Sequence, residues 1–196
     1  IVQSEHNAYY RRIAEVLDNE NIILSDNETK YLDIVVSEQE ALANVTSKSL
    51  LVIVDHHRAV LSASKKLLEA VHNRIIVDHH RRAEDIIGDT VLLYLEPSSS
   101  STSELVTELI GYFDDRLDIT PAEATALYAG IVLDTKYFNV QTGERTFEAA
   151  ALLRRSGANP NLVRQLFKDD MQLVQQRAKL IAGAKMPVAG LSIAVM

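Results

Sequence analysis

The chain has 196 residues, 47% of them hydrophobic and 24% charged, and its 20 Lys+Arg against 27 Asp+Glu leave a net charge of −7. That balance is apolar enough to bury a core, which argues against wholesale disorder, and an acidic chain without a basic block is a poor non-specific binder of polymeric nucleic acid, with a local basic pocket left open. No cysteine is present, so disulfides and thiolate metal sites are excluded, and apolar runs of about five to seven residues are too short to span a bilayer.

In chain order, Ile1-Val2 reads as the tail of a strand and 7–19 as a helix with Ile13, Val16 and Leu17 on one face. Asp33-Ile34-Val35-Val36 is a short strand, and Ser37-Glu38-Gln39-Glu40 is a capping box that predicts a helix through Val45. Leu50-Leu51-Val52-Ile53-Val54 and Arg74-Ile75-Ile76-Val77 are apolar runs without alternation, as parallel strands buried on both faces require. Between them, 60–71 carries Leu61, Leu67 and Leu68 at helical spacing and predicts the crossover helix. Val91-Leu92-Leu93-Tyr94-Leu95 is a further strand, ended by Glu96-Pro97 and a run of serines, with a helix following through Ile110.

Thr120-Pro121-Ala122-Glu123 is another capping box with Pro at the first helical position, opening a small, apolar, buried helix through Leu133. Thr146 is expected to cap a helix ending at Gly157, Asn159-Pro160 to start the next, and 169–182 to form one more. Strands and helices alternate over 1–135, which predicts an α/β fold with a doubly wound, mainly parallel sheet and flanking helices. The ends read as cut: the chain opens on Ile1-Val2 and stops within the strand-like Leu191-Ser192-Ile193-Ala194-Val195-Met196, as a fold truncated at both ends would.

Two of the buried strands end in the same tripeptide, Val54-Asp55-His56-His57-Arg58 and Val77-Asp78-His79-His80-Arg81. Ligands of open parallel sheets bind at the carboxyl ends of the strands, so two carboxylates and four imidazoles are delivered to one rim. A single Asp after a strand reads as a cap or turn former. Two such tripeptides on neighbouring strands point instead to a metal or phosphate site, because so many ionisable groups crowd together only around a cation. Asp and His without Cys suit Mn²⁺, Fe, Zn²⁺ or Mg²⁺. Asp134, where the apolar helix stops, is a third acid for that rim.

Positive charge lies downstream at Arg81, Arg82, Lys136, Arg145, Arg154 and Arg155. Arg154 and Arg155 read as a solvated helix face. Arg81 and Arg82 directly follow the second tripeptide and are equally readable as phosphate ligands or as surface charges. Ser101-Thr102-Ser103-Glu104 is a capping box before it is an anion site, and Thr142-Gly143-Glu144-Arg145-Thr146 is a polar loop placed to cover the rim. His6 and His72 read as surface residues.

Asp78-His79-His80 after a strand resembles the naming signature of the DHH phosphoesterase superfamily. The resemblance extends through Leu95-Glu96-Pro97, Ser103 to Leu109, Tyr128-Ala129-Gly130-Ile131-Val132-Leu133-Asp134-Thr135, Thr142 to Phe147 and Leu153 to Ala158, over roughly residues 22 to 183. These stretches are similar to the GdpP-type branch, the membrane-anchored cyclic-di-AMP phosphodiesterases of bacteria.

The resemblance implies a dinuclear Mn²⁺ site that hydrolyses the cyclic dinucleotide to the linear one. It implies Asp55, His79 and Asp134 as metal ligands, with Asp55 bridging both ions, and Asp78 orienting its neighbours. It also implies His80 at the scissile phosphate or its leaving oxygen, with Arg81, Arg82 and Arg145 as substrate-binding candidates. The branch's first motif, H-x-x-x-D-x-D, is expected before Ile1, and a glycine-rich substrate-binding domain is expected after the last strand. Where the branch more often has Asp-Thr-His, this chain has Asp55-His56-His57.

The implied organisation is a DHH domain over 1–168 lacking its first motif, a linker helix over 169–185, and the start of a C-terminal substrate-binding domain over 186–196. The segment is then expected to be soluble, on the cytoplasmic side of a parent protein in the bacterial cell membrane, with no membrane contact of its own and with a homodimer left open. Without its first motif it is also open to being inactive by itself. Two rival readings remain: an oligonucleotide phosphodiesterase or polyphosphatase of the same superfamily, and a non-catalytic module that binds a nucleotide or a partner.

Overall fold

The computed structural model describes residues 36–113, 118–168, 171–188 and 191–193. The strand at Ile1-Val2, the helix over 7–19 and all but the last residue of the strand at Asp33 to Val36 lie outside the described residues. The chain divides into two compact units, Ile1–Leu166 and Phe167–Met196.

In the first unit, Ser37 caps helix α1 (Glu38–Ala43) by accepting from the Glu40 N–H at 3.1 Å, and the helix stops two residues short of Val45. Strands β1 (Leu51–Val54), β2 (Arg74–Asp78) and β3 (Thr90–Leu95) form a parallel sheet in the order β1-β2-β3. The expected α/β architecture of a parallel sheet with flanking helices is borne out.

The centre strand carries the burial. Ile76 has no exposed surface and packs with Ile53, Leu68 and Ile87. Such a burial stabilises by about 1.5–3 kcal/mol per large apolar side chain. In β1 only Ile53 is buried, while Val52 and Val54 are 54% and 48% exposed. The expectation of two buried faces therefore holds for β2 and fails for β1, which among the described strands has a partner on one side only.

The crossover from β1 to β2 also departs from expectation. In place of one helix over 60–71 there is a single 3-10 turn (Ala59–Leu61) and then helix α2 (Lys65–Ala70). Serine is the cause. The Ser64 hydroxyl accepts from the Leu67 N–H at 3.1 Å and restarts the helix there, while the Ser62 hydroxyl donates to the Ser64 carbonyl at 3.3 Å.

After β3 come α3 (Thr102–Phe113), α4 (Pro121–Asp134), α5 (Glu144–Arg155) and α6 (Pro160–Leu166). The capping box at Thr120 forms as expected, with the Glu123 side chain accepting from the Thr120 N–H at 2.9 Å. Helix α5 begins at Glu144 with Gly143 as its cap, so Thr146 sits inside the first turn and its hydroxyl accepts from the Gly143 N–H at 3.0 Å. Helix α5 ends where Gly157 takes a left-handed φ of 96°.

Glycine also decides how α3 and α4 meet. A Cβ added at Gly130 would lie 2.9 Å from the Ser103 Cβ, so only a hydrogen lets the two helices approach this closely. That approach brings the first turn of α3 alongside the last turn of α4, where Asp134 stands.

The second unit contains helix α7 (Met171–Ala182) and an antiparallel pair, β4 (Lys185–Val188) with β5 (Leu191–Ile193). No helix among the described residues is long and apolar enough to cross a membrane.

Candidate metal centre and catalytic cleft

The two identical tripeptides are used differently. Strand β1 ends at Val54, and Asp55 turns into the left-handed region at φ 66°, a conformation that Asp tolerates better than most residues. Strand β2 runs one residue further, so Asp78 is still paired with Leu95 and is fully buried. Asp55 therefore projects from the rim while Asp78 points inward.

Asp78 is buried between two imidazoles. His57 Nδ1 lies 2.5 Å from its Oδ2, and His80 Nδ1 lies 2.7 Å from its Oδ1, which also accepts from the His80 N–H at 3.2 Å. His57 Nε2 accepts from the Ala83 N–H at 3.0 Å, which puts the His57 ring proton on Nδ1, facing Asp78. Burial pushes the Asp78 carboxyl up, but the bonds from His57 and His80 outweigh it and hold the group below the usual range. The same Asp78 bond raises the pKa of His80 against the opposing effect of burial, with Asp55 and Asp134 adding to the rise.

His79 is oriented from its other side. Its Nδ1 faces the Ser99 carbonyl at 3.4 Å, and its Nε2 lies 3.6 Å from Asp55 Oδ1 and 3.6 Å from Asp134 Oδ2. Both separations are too long for a hydrogen bond, and each leaves room for an ion between the imidazole and a carboxylate. The donor set is consistent with that reading: Asp134 is raised by burial and by repulsion from Asp55, and a cation would relieve both. Ligand atoms of Asp55, His79 and His80 lie within 4.8 Å of one another. Asp134 is not in that group and, among the described residues, approaches it through His79 alone, so His80 stands where the sequence reading put only Asp55, His79 and Asp134; nitrogen and oxygen donors of this kind fit a divalent transition ion.

His79, His80 and Asp134 open onto a cleft of about 390 Å³ that Arg81, Pro97, Ser99 and Gln141 also line. Arg81 lines the cleft and Arg82 is an exposed residue beside it. Arg145 is differently engaged. Its Nε donates to Glu108 Oε1 at 2.7 Å, its Nη2 donates to Glu108 Oε2, and the pair raises the guanidinium above its already high ordinary value. Beyond Asp134 the chain makes a turn in which Lys136, Tyr137 and Phe138 are successively left-handed, tied by the Thr135 hydroxyl accepting from the Phe138 N–H at 3.0 Å. The expected covering loop is displaced accordingly, since Gln141 reaches the cleft and Glu144 and Arg145 belong to α5.

The structure gives three residues roles that the sequence does not distinguish: His57 and Thr102 in contact with candidate site residues, and Glu104 bonded to Ser100 and Thr146. His57 is 2% exposed against Asp78, and no local pattern separates it from His56. The Thr102 hydroxyl donates to Asp55 Oδ1 at 2.9 Å, and the sequence signal was a hydroxyl at the first turn of a helix near the rim. Glu104, 1% exposed, accepts from the Ser100 hydroxyl at 2.5 Å, the Ser100 N–H at 3.2 Å and the Thr146 hydroxyl at 2.7 Å. It had been read as the distal half of a capping box. The other half forms, the Ser101 hydroxyl accepting from the Glu104 N–H at 3.1 Å.

A model of the DHH family, N-terminal domain, matches residues 6–131. The chain is 47% identical over 160 residues to the cyclic-di-AMP phosphodiesterase PdeA of Listeria monocytogenes, covering 82% of this chain and 24% of that protein. It is 45% identical over 159 residues to the cyclic-di-AMP phosphodiesterase GdpP of Geobacillus thermodenitrificans, covering 81% and 24%. The chain therefore spans about a quarter of the length of these relatives. Among solved structures, an exopolyphosphatase-related protein from Bacteroides fragilis aligns with a TM-score of 0.66 at 18% identity, over 90% of this chain and 56% of that one, which is a likeness of fold.

Proposed function

The chain belongs to the DHH family, and from that premise we propose that it is part of a metal-dependent phosphodiesterase that opens cyclic-di-AMP to the linear dinucleotide, with Mn²⁺ as the metal. The observation that carries the reading is the His79 ring, with Nδ1 toward a carbonyl and Nε2 toward two carboxylates at 3.6 Å each. Asp55, His79 and Asp134 would hold one ion. A divalent ion held there supplies positive charge against the phosphate and acidifies a water at neutral pH.

The chain's own residues divide the remaining work. Buried Asp78 accepts the His80 Nδ1 proton and favours the charged ring, whose second proton, on Nε2, is presented to the cleft next to His79. From there it can hydrogen-bond a phosphoryl or leaving oxygen. Arg81, on the cleft wall, is placed to bind a phosphate oxygen. Arg145 is assigned a structural role through Glu108. The domain division, the DHH domain over 1–168 followed by a linker helix and the start of a substrate-binding domain, is retained as part of this reading.

The test is hydrolysis of cyclic-di-AMP, linear dinucleotides and pyrophosphate with Mn²⁺, by a protein that includes this chain. Preferential opening of the cyclic dinucleotide, abolished by Asp55→Ala, supports the reading. Preference for pyrophosphate or for linear dinucleotides contradicts it.

A further inference from the structure

We propose that Thr102 is a positioning residue for Asp55, and that the segment from Ser99 to Thr102 sets the direction of two candidate metal ligands carried by different strands. The inference rests on the reading of Asp55 and His79 as metal ligands.

Asp55 needs such a partner. It stands beyond the end of β1 with a left-handed backbone, and its side chain is 58% exposed. A carboxylate so placed loses rotamer freedom when it binds an ion, and that loss weakens binding unless the rotamer is fixed beforehand. The Thr102 hydroxyl donates to Oδ1 at 2.9 Å, the same oxygen that lies 3.6 Å from His79 Nε2. One lone pair of Oδ1 is thereby taken and the other is left for an ion.

Thr102 is free to do this because it does not cap its helix. Ser101 accepts from the Glu104 N–H, so capping is already satisfied one residue earlier. Thr102 is itself 6% exposed, and its position is fixed from both sides. The hydrogen at Gly130 lets α3 lie close against α4, and Glu104 ties Ser100 to Thr146 on α5. Within the same segment the Ser99 carbonyl faces His79 Nδ1. One short stretch thus orients an imidazole by a carbonyl and a carboxylate by a hydroxyl.

The test is Mn²⁺ binding followed by electron paramagnetic resonance, with thermal denaturation alongside, on a protein that includes this chain and on its Thr102→Val, Thr102→Ser and Asp55→Ala forms. Partners that orient a metal ligand are worth roughly 10–100-fold in metal affinity. Thr102→Val is expected to lose affinity by about that factor, Thr102→Ser to restore it, and Thr102→Val to add nothing in the Asp55→Ala background. A Thr102→Val form that binds Mn²⁺ as the parent does overturns the inference while leaving the metal reading intact. So does a Thr102→Val loss that persists with Asp55 already removed. Absence of Mn²⁺ binding by the unsubstituted protein overturns the metal reading and the inference with it. Should Thr102→Val fail to fold, Thr102→Ala replaces it, with the same outcomes decisive.

Discussion

His57 Nδ1 lies 2.5 Å from Asp78 Oδ2, joining the two Asp-His-His tripeptides across 21 residues of sequence through a carboxylate with no exposed surface. The bond makes the second tripeptide depend on the first. Asp78 also accepts from His80, so whatever steadies Asp78 steadies the imidazole presented to the cleft.

Replacing His57 by Ala removes the donor to a buried carboxylate and leaves the Ala83 N–H without its acceptor. Unsatisfied buried groups cost about 1–3 kcal/mol each. We expect His57→Ala to lower the unfolding free energy in urea by at least 2 kcal/mol on that estimate, and to reduce kcat more than KM. An unchanged denaturation midpoint would show that Asp78 does not need His57.

Arg81 and Arg145 should separate in kinetics. Arg81 lines the cleft, so Arg81→Ala is expected to raise KM for the cyclic dinucleotide roughly tenfold, as loss of one charged hydrogen bond implies. Arg145 is committed to Glu108, and both side chains are partly exposed, so Arg145→Ala should cost about 0.5–1 kcal/mol of stability and change KM less than Arg81→Ala does. Equal KM effects would return Arg145 to the substrate.

Glu104 predicts a pH dependence of stability. Burial raises its pKa, but bonds from the Ser100 and Thr146 hydroxyls and from the Ser99 side chain outweigh this and hold it below its ordinary value of 4.5. A carboxyl with a lowered folded pKa stabilises fully above its unfolded value, and the contribution fades as pH falls through the folded one. The parent should therefore exceed Glu104→Gln in Tm at pH 7, and the gap should narrow below about pH 4.5. A gap that is constant from pH 7 to pH 3 contradicts the assignment.

The twin tripeptides at strand ends were legible in the sequence because apolar runs mark buried parallel strands and ionisable residues end them. The different use of the two was not legible. It depends on β2 staying paired through Asp78 while β1 stops at Val54, and pairing register is set by the neighbouring strand. The second role of Glu104, beyond its place in the capping box, is hidden for a related reason. Its spacing to Ser101 is local and visible, whereas its bond to Thr146 spans 42 residues. The Arg145–Glu108 pair spans 37 residues and was equally hidden. The shortened crossover helix followed from serines whose competing side-chain bonds a leucine pattern does not reveal.

Gly130 offers a test of helix approach. In an exposed helix, Gly→Ala gains about 1 kcal/mol of propensity. Here the added Cβ would meet Ser103, and overpacking costs about 1–3 kcal/mol. Gly130→Ala should therefore lower Tm and weaken Mn²⁺ binding together. A higher Tm with unchanged Mn²⁺ binding would show that the α3–α4 contact is not needed for the site.

The metal centre is tested most directly by anomalous diffraction from a crystal of the protein soaked in Mn²⁺. The account predicts a manganese peak within roughly 2.0–2.5 Å of His79 Nε2, Asp55 Oδ1 and Asp134 Oδ2, a separation usual for imidazole and carboxylate ligands. A map with no peak between these atoms, or with the ion held by other residues, would contradict it.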